Sequence, residues 1–115
     1  MTARDPRALT EAGWERQLVD LAAILGWHWL HIRPGLRQSG AYSVPVQGTL
    51  GVGWPDLFLV RERDRRAIWV ELKTATGKLT VDQERVLGIL RSAGCEVYVW
   101  RPADADLAHH ADLGV

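Results

Sequence analysis

With a single cysteine, Cys95, the chain can hold no internal disulfide, a pattern that suits a reducing compartment such as the cytoplasm. No apolar run approaches the roughly 20 residues that span a bilayer. The opening Met1-Thr2-Ala3-Arg4-Asp5-Pro6 lacks the hydrophobic stretch of a secretory leader. Repeats, low-complexity tracts and linkers are also missing, so residues 1–115 are expected to form one domain. The formal net charge is zero, without the strongly basic balance of a non-specific polyanion binder. Basic residues nevertheless outnumber acids up to residue 80 and acids outnumber bases after it, so charge decides little. Zinc-site spacing is absent: His28 and His31 fall on opposite faces of a strand, and His109-His110 lie in the tail. Gly51-Val52-Gly53 lacks the lysine of a phosphate-binding loop. Cys95 reads as a small buried residue rather than a nucleophile.

What is present is a chain 47% apolar and 115 residues long, enough for a core without disulfide or metal support. Thr10 can cap a helix that runs to Leu25 and stops at Gly26. Its apolar stripe is Trp14, Leu18, Leu21 and Leu25, which brings Glu11 nearer the interior than Glu15. Residues 27–33 alternate as a strand. Residues 34–52 are rich in Gly, Ser and Pro and form a long loop or irregular hairpin. That loop either serves only as a connection or brings Arg37, Gln38, Ser39 and Tyr42 to a nucleic-acid backbone. Two further strands, 56–60 and 67–73, flank the mixed-charge run Arg61 to Arg66, expected as a solvated turn. Thr80 and Gln83 have capping-box spacing at the start of a helix that ends near Ala93-Gly94, with Val86, Leu87, Leu90 and Ala93 on its apolar face. A last strand covers 96–100, Pro102 ends it, and a short helix is expected over 104–112. Trp14, Trp69 and Trp100 fit a core; Trp54 either covers its edge or stacks on a base.

The chemistry concentrates at Gly53-Trp54-Pro55-Asp56 and Glu71-Leu72-Lys73. Strand residues two apart share a face, so Glu71 and Lys73 lie together with Ala67 and Trp69, opposite Ile68, Val70 and Leu72. Charges seldom occupy a strand otherwise apolar on both faces unless they are paired or bind an ion. Asp56 and Glu71 on neighbouring strands make a site for a hard divalent cation. Mg²⁺ fits best, preferring oxygen ligands and retaining waters, with Mn²⁺ as a substitute. Beside two carboxylates, the Lys73 ammonium suits orienting a water or stabilising charge more than acting as a base. From spacing alone, Glu11 is a solvated first-turn acid, and Gln83 is a capping residue that also falls on its helix's buried side.

This ordered set resembles the VRR-NUC domain of the PD-(D/E)xK nuclease superfamily, akin to Holliday junction resolvases. The residues that carry it are Thr10-Glu11, Gly53 to Asp56, Glu71 to Lys73, Gly77, Gln83 and Gly94 to Pro102. The resemblance implies an α/β, restriction-endonuclease-like αβββαβ core, its mixed central sheet flanked by helices. It implies a metal-dependent endonuclease cutting DNA, branched or structured DNA such as Holliday junctions, as a homodimer. Asp56, Glu71, Lys73 and Gln83 would be catalytic. Asp56, Glu71, the Leu72 carbonyl and Glu11 would serve the metal, with Glu15 the other candidate for the third acid. A catalytically silent nucleic-acid-binding or adaptor module of the same fold, or an RNA-acting nuclease, is the alternative.

Overall fold

The computed structural model describes residues 10–32, 35–36, 42–43, 48–105 and 113–114, with only the backbone at 35–36 and 42–43. Helix α1 (Glu11–Ile24) starts where the Thr10 hydroxyl accepts from the Gly13 amide at 3.1 Å. It ends as Gly26 takes φ +88°, a left-handed turn open to glycine. Strand β1 (His28–His31) follows, then a two-residue pair, β2 (Gly35–Leu36) with β3 (Tyr42–Ser43), which is the irregular hairpin expected here. Next come β4 (Leu57–Arg61), β5 (Arg66–Leu72), helix α2 (Val81–Ser92) and β6 (Glu96–Trp100). The main sheet has the order β1-β4-β5-β6. Its first two pairings are antiparallel, and β5 and β6 run parallel across the α2 crossover. This is the expected mixed α/β architecture.

Strand alternation sorts the two layers. Leu57, Leu59, Ile68, Val70, Leu72 and Trp100 pack with Trp14, Leu18, Val19, Ala22 and Trp27. Trp69 and Val97 turn the other way, onto Val86, Leu87 and Leu90 of α2. The two helices therefore cover opposite faces. Trp54 joins the second cluster, its ring edge-on to Trp69 with centroids 4.7 Å apart, so it covers the core edge.

Several expectations need correction. The buried face of α1 is Trp14, Glu15, Leu18, Val19 and Ala22, with Leu21 and Leu25 only partly buried. The helix is thus rotated by about 60° from the expected stripe, at 100° per residue. Glu15 is buried, while Glu11, expected nearer the interior, is exposed. Arg61 is not part of a solvated turn: it is 4% exposed. Its guanidinium pairs with Asp64, donates to the carbonyls of Leu25 and Gly114, and lies 4.6 Å from the Trp27 ring centroid. Cys95 is exposed, because it occupies the turn after α2 and only its backbone points inward, to the Leu90 carbonyl at 2.9 Å. Ala93, placed on α2's apolar face from spacing, is exposed too. Residues 37–39 and His109-His110 lie outside the described residues, as does most of the expected tail helix; a 3₁₀ turn, Pro102–Asp104, leads into it, and Ala105 is helical.

Gly53 fixes the approach of the loop before β4. It has φ +91°, and a Cβ there would stand 2.5 Å from the Asp82 carbonyl carbon and 2.7 Å from the Gln83 amide nitrogen. Only glycine lets this loop press against the first turn of α2. Gly53→Ala should destabilise the domain by about 2 kcal/mol or more, whereas Gly88→Ala, at an exposed helical position with nothing within 4 Å, should stabilise it by about 1 kcal/mol. Thermal unfolding of the two variants against the parent checks both signs.

Candidate active site

The β4–β5 register pairs Leu57 with Val70. One step further, Asp56 stands opposite Glu71 on the α2 side of the sheet. Asp56 is fastened by its own carboxylate, which accepts from the Leu72 amide at 3.1 Å. Its carbonyl accepts from Ile32 at 2.8 Å, so β1 holds it from the other side.

Glu71 is 1% exposed. Its Oε1 accepts from Gln83 Nε2 at 2.9 Å and lies 3.8 Å from Lys73 Nζ. Its Oε2 is buried and finds no hydrogen-bond donor among the described residues. The Asp56 carboxyl on the neighbouring strand is close enough to act on Glu71. Burial first, then the neighbouring Asp56 carboxyl, push Glu71 up to about 9; Lys73 opposes the shift and Glu11 adds to it.

Gln83 both caps its helix and reaches Glu71. Its backbone amide donates to Thr80 Oγ1 and its side-chain oxygen accepts from the Thr80 amide, closing the capping box at 3.1 and 2.9 Å. Its NH₂ is left for Glu71. The amide orientation follows, because the oxygen must meet an N–H and the nitrogen a carboxylate. The N-terminus of α2 therefore sets the position of Glu71.

Lys73 follows the last residue of β5, with its side chain 13% exposed and its amide donating to the Trp100 carbonyl at 3.1 Å. Leu72 buries its side chain in the α1 layer. Glu11 is exposed, but burial and the Asp56 charge raise its pKa while Lys73 lowers it, so it lies within electrostatic range of the site. It does not complete a tight ligand set: among the described residues, no three His, Cys, Asp or Glu side chains converge to hold an ion. The structure brings Asp56, Glu71, Lys73 and Gln83 together and leaves Glu11 at their margin.

Two contacts had no clear sequence signal. Glu15 Oε1 meets His31 Nδ1 at 2.6 Å, both largely buried, and so joins α1 to β1. Arg101 donates to the turn after Lys73. For Glu15, the usable hint is the odd-numbered face of β1, which puts His31 beside Leu57 and toward α1.

The raised Glu71 pKa has a measurable consequence for the metal-free protein. Below about pH 4.5, its ordinary value, folded and unfolded chains both hold the proton. From there to about 9 the unfolded chain releases it and the folded chain keeps it, so stability falls as pH rises, levelling off above 9. The stability gap between Glu71→Gln and the parent should widen in favour of the variant across that window, measured by denaturant unfolding in EDTA at pH 5, 7 and 9.

Comparison with known proteins adds one match. The VRR-NUC domain family matches residues 36–104, a span that takes in Asp56, Glu71, Leu72, Lys73 and Gln83 and leaves α1 with Glu11 outside it. No curated protein and no solved structure matches the chain. The match covers more than half of the sequence and includes both carboxylates on their neighbouring strands; the chain belongs to the VRR-NUC domain family, a nuclease family of the restriction-endonuclease-like superfamily.

Proposed function

We propose that this nuclease domain is a Mg²⁺-dependent endonuclease that hydrolyses phosphodiester bonds in DNA, with branched or structured DNA such as Holliday junctions as its substrate. One observation carries the metal: a buried carboxylate oxygen, Glu71 Oε2, has no donor among the described residues and sits beside a second carboxylate. A hard cation would answer both the missing partner and the like-charge repulsion, and paired oxygen donors suit Mg²⁺ or Mn²⁺.

Asp56 and Glu71 would hold the ion, with the Leu72 carbonyl as a third ligand. A bound Mg²⁺ supplies Lewis-acid polarisation of the phosphoryl oxygens and a lowered pKa for water. Gln83 engages Glu71 Oε1, which keeps Oε2 for the cation. Lys73 presents an ammonium at the same carboxylate, where it orients the attacking water or stabilises charge on the phosphate. Glu11, electrostatically coupled to Asp56, would contribute through a bridging water or help hold a second ion.

A domain of this size grips little of a duplex alone, so a homodimer with two active sites is the proposed working form. No helix among the described residues is long and apolar enough to cross a membrane, and an exposed free Cys95 suits the reducing cytoplasm. Retention of Asp56, Glu71 and Lys73 together speaks against a silent binding or adaptor module, since idle buried charge is costly.

Purified protein should cut flap or junction DNA in Mg²⁺ or Mn²⁺ and lose all cutting in EDTA; activity in EDTA would remove the metal from the mechanism. Preferential cutting of RNA in the same panel would move the substrate to RNA. Asp56→Ala, Glu71→Ala and Lys73→Ala should each abolish cleavage with the circular dichroism spectrum kept. Glu11→Gln should reduce it by an order of magnitude or more, that is by at least ~1.4 kcal/mol of transition-state stabilisation. Parental rates in any of the first three would contradict the assigned roles.

A further inference from the structure

Lys73 stands at the end of β5, where the chain leaves the sheet. A long flexible side chain in such a place needs its backbone and one flank fixed if its ammonium is to act in one position. The backbone is fixed by the Lys73 amide bonded to the Trp100 carbonyl. The flank is the turn at residues 74–77. Inside it, Thr74 Oγ1 accepts from the Gly77 amide at 3.0 Å. A Cβ on Gly77 would fall 2.8 Å from that hydroxyl and 3.7 Å from Lys73 Cδ, so the turn packs along the Lys73 stem.

The turn is closed from outside by one nitrogen. Arg101 Nη1 donates to the carbonyls of Thr74 and Gly77, both at 2.6 Å. A guanidinium Nη carries two hydrogens, one for each carbonyl, and the two bonds hold the ends of the turn at a fixed separation. Arg101 is itself anchored, its amide donating to Asp104 Oδ2 at 2.8 Å, with Pro102 buried next to it. The guanidinium approaches neither Asp56 nor Glu71 within ion-pair distance among the described residues, so its effect reaches the site through the turn.

We propose that Arg101 is a positioning residue for Lys73: by cross-linking Thr74 and Gly77 it fixes the wall against which the Lys73 side chain lies. The proposal rests on the catalytic reading of Lys73, but part of its test does not. The chain has two lysines, Lys73 and Lys78, and Lys78 is exposed. Brief acetylation with acetic anhydride, read by mass spectrometry, therefore reports the shielding of Lys73 against an internal standard.

In Arg101→Ala the Lys73/Lys78 labelling ratio should rise several-fold. With Mg²⁺ and the cleaved DNA, kcat should fall by about 10- to 100-fold, the scale of a small misplacement of a reacting group, with KM nearly unchanged. Methylguanidinium in the buffer should restore part of both. Gly77→Ala reaches the same turn without touching Arg101 and should reproduce the labelling and kcat changes without the rescue; it also serves if Arg101→Ala does not fold. An unchanged labelling ratio in a folded variant overturns the proposal, as does a change confined to KM, which would mark Arg101 as a phosphate contact. If Lys73→Ala itself cuts at the parental rate, the catalytic reading fails, while the labelling result still decides whether Arg101 orders Lys73.

Discussion

The site depends on burying a carboxylate that the protein alone does not fully satisfy. Glu71 is almost wholly enclosed, and one of its oxygens has no donor among the described residues. Placing that group in a strand costs stability, and the neighbouring elements are arranged around it. The capping box that starts α2 places Gln83 on Oε1. Gly53 lets the loop before β4 lie against the same turn of α2, which brings Asp56 opposite Glu71. Asp56 in turn occupies the Leu72 amide. Two strands, a loop and a helix end are thus fixed by one acidic side chain. A pKa driven up by burial and a like charge is the kind of perturbation that clusters at functional sites.

Two other buried charged groups show the contrast. Arg61 spends its donors on Asp64 and on the carbonyls of Leu25 and Gly114, with Trp27 beneath its guanidinium. Glu15 meets His31 across the α1–β1 seam. Each of these joins elements that would otherwise separate, and partners on the protein account for its burial. Glu71 differs in keeping an oxygen unmatched among the described residues. The distinction between a structural and a functional buried charge lies in whether the protein completes its coordination.

Much of this arrangement was legible in the sequence because short-range rules govern it. The alternation of residues 67–73 put Glu71 and Lys73 on the face away from Ile68, Val70 and Leu72, and burial follows that alternation. Thr80 and Gln83 announced their capping box by spacing alone. The misses share a cause, which is tertiary packing. The rotation of α1 is set by which side chains best fill the space over Leu57, Ile68 and Val70, and small Ala22 fits there better than Leu25. Arg61 lies in a run of mixed charges, and nothing local distinguishes it from its exposed neighbours until Trp27 and the end of α1 arrive beside it. Arg101 gave no signal because its partners are backbone carbonyls more than twenty residues away.

The third acid shows why helix phase was a weak guide. In the rotated helix Glu11 and Glu15 both lie on the inward face; what separates them is depth along the axis. Glu15 sits over the sheet, where an ionised group must find a partner, and His31 provides one. Glu11 sits in the first turn, beyond the packed layer, close enough to feel Asp56 and Lys73 yet exposed. Its placement is inherited from the anchoring of α1. Trp14 Nε1 donates to the Trp100 carbonyl at 3.1 Å, the same oxygen that accepts from the Lys73 amide. The helix that carries Glu11 and the strand end that carries Lys73 are therefore tied to one backbone atom, although the family match begins only after α1. A shift of α1 along its axis would move Glu11 relative to Asp56 and pull on the Lys73 backbone together, so these two groups keep their relation through a contact that involves neither side chain.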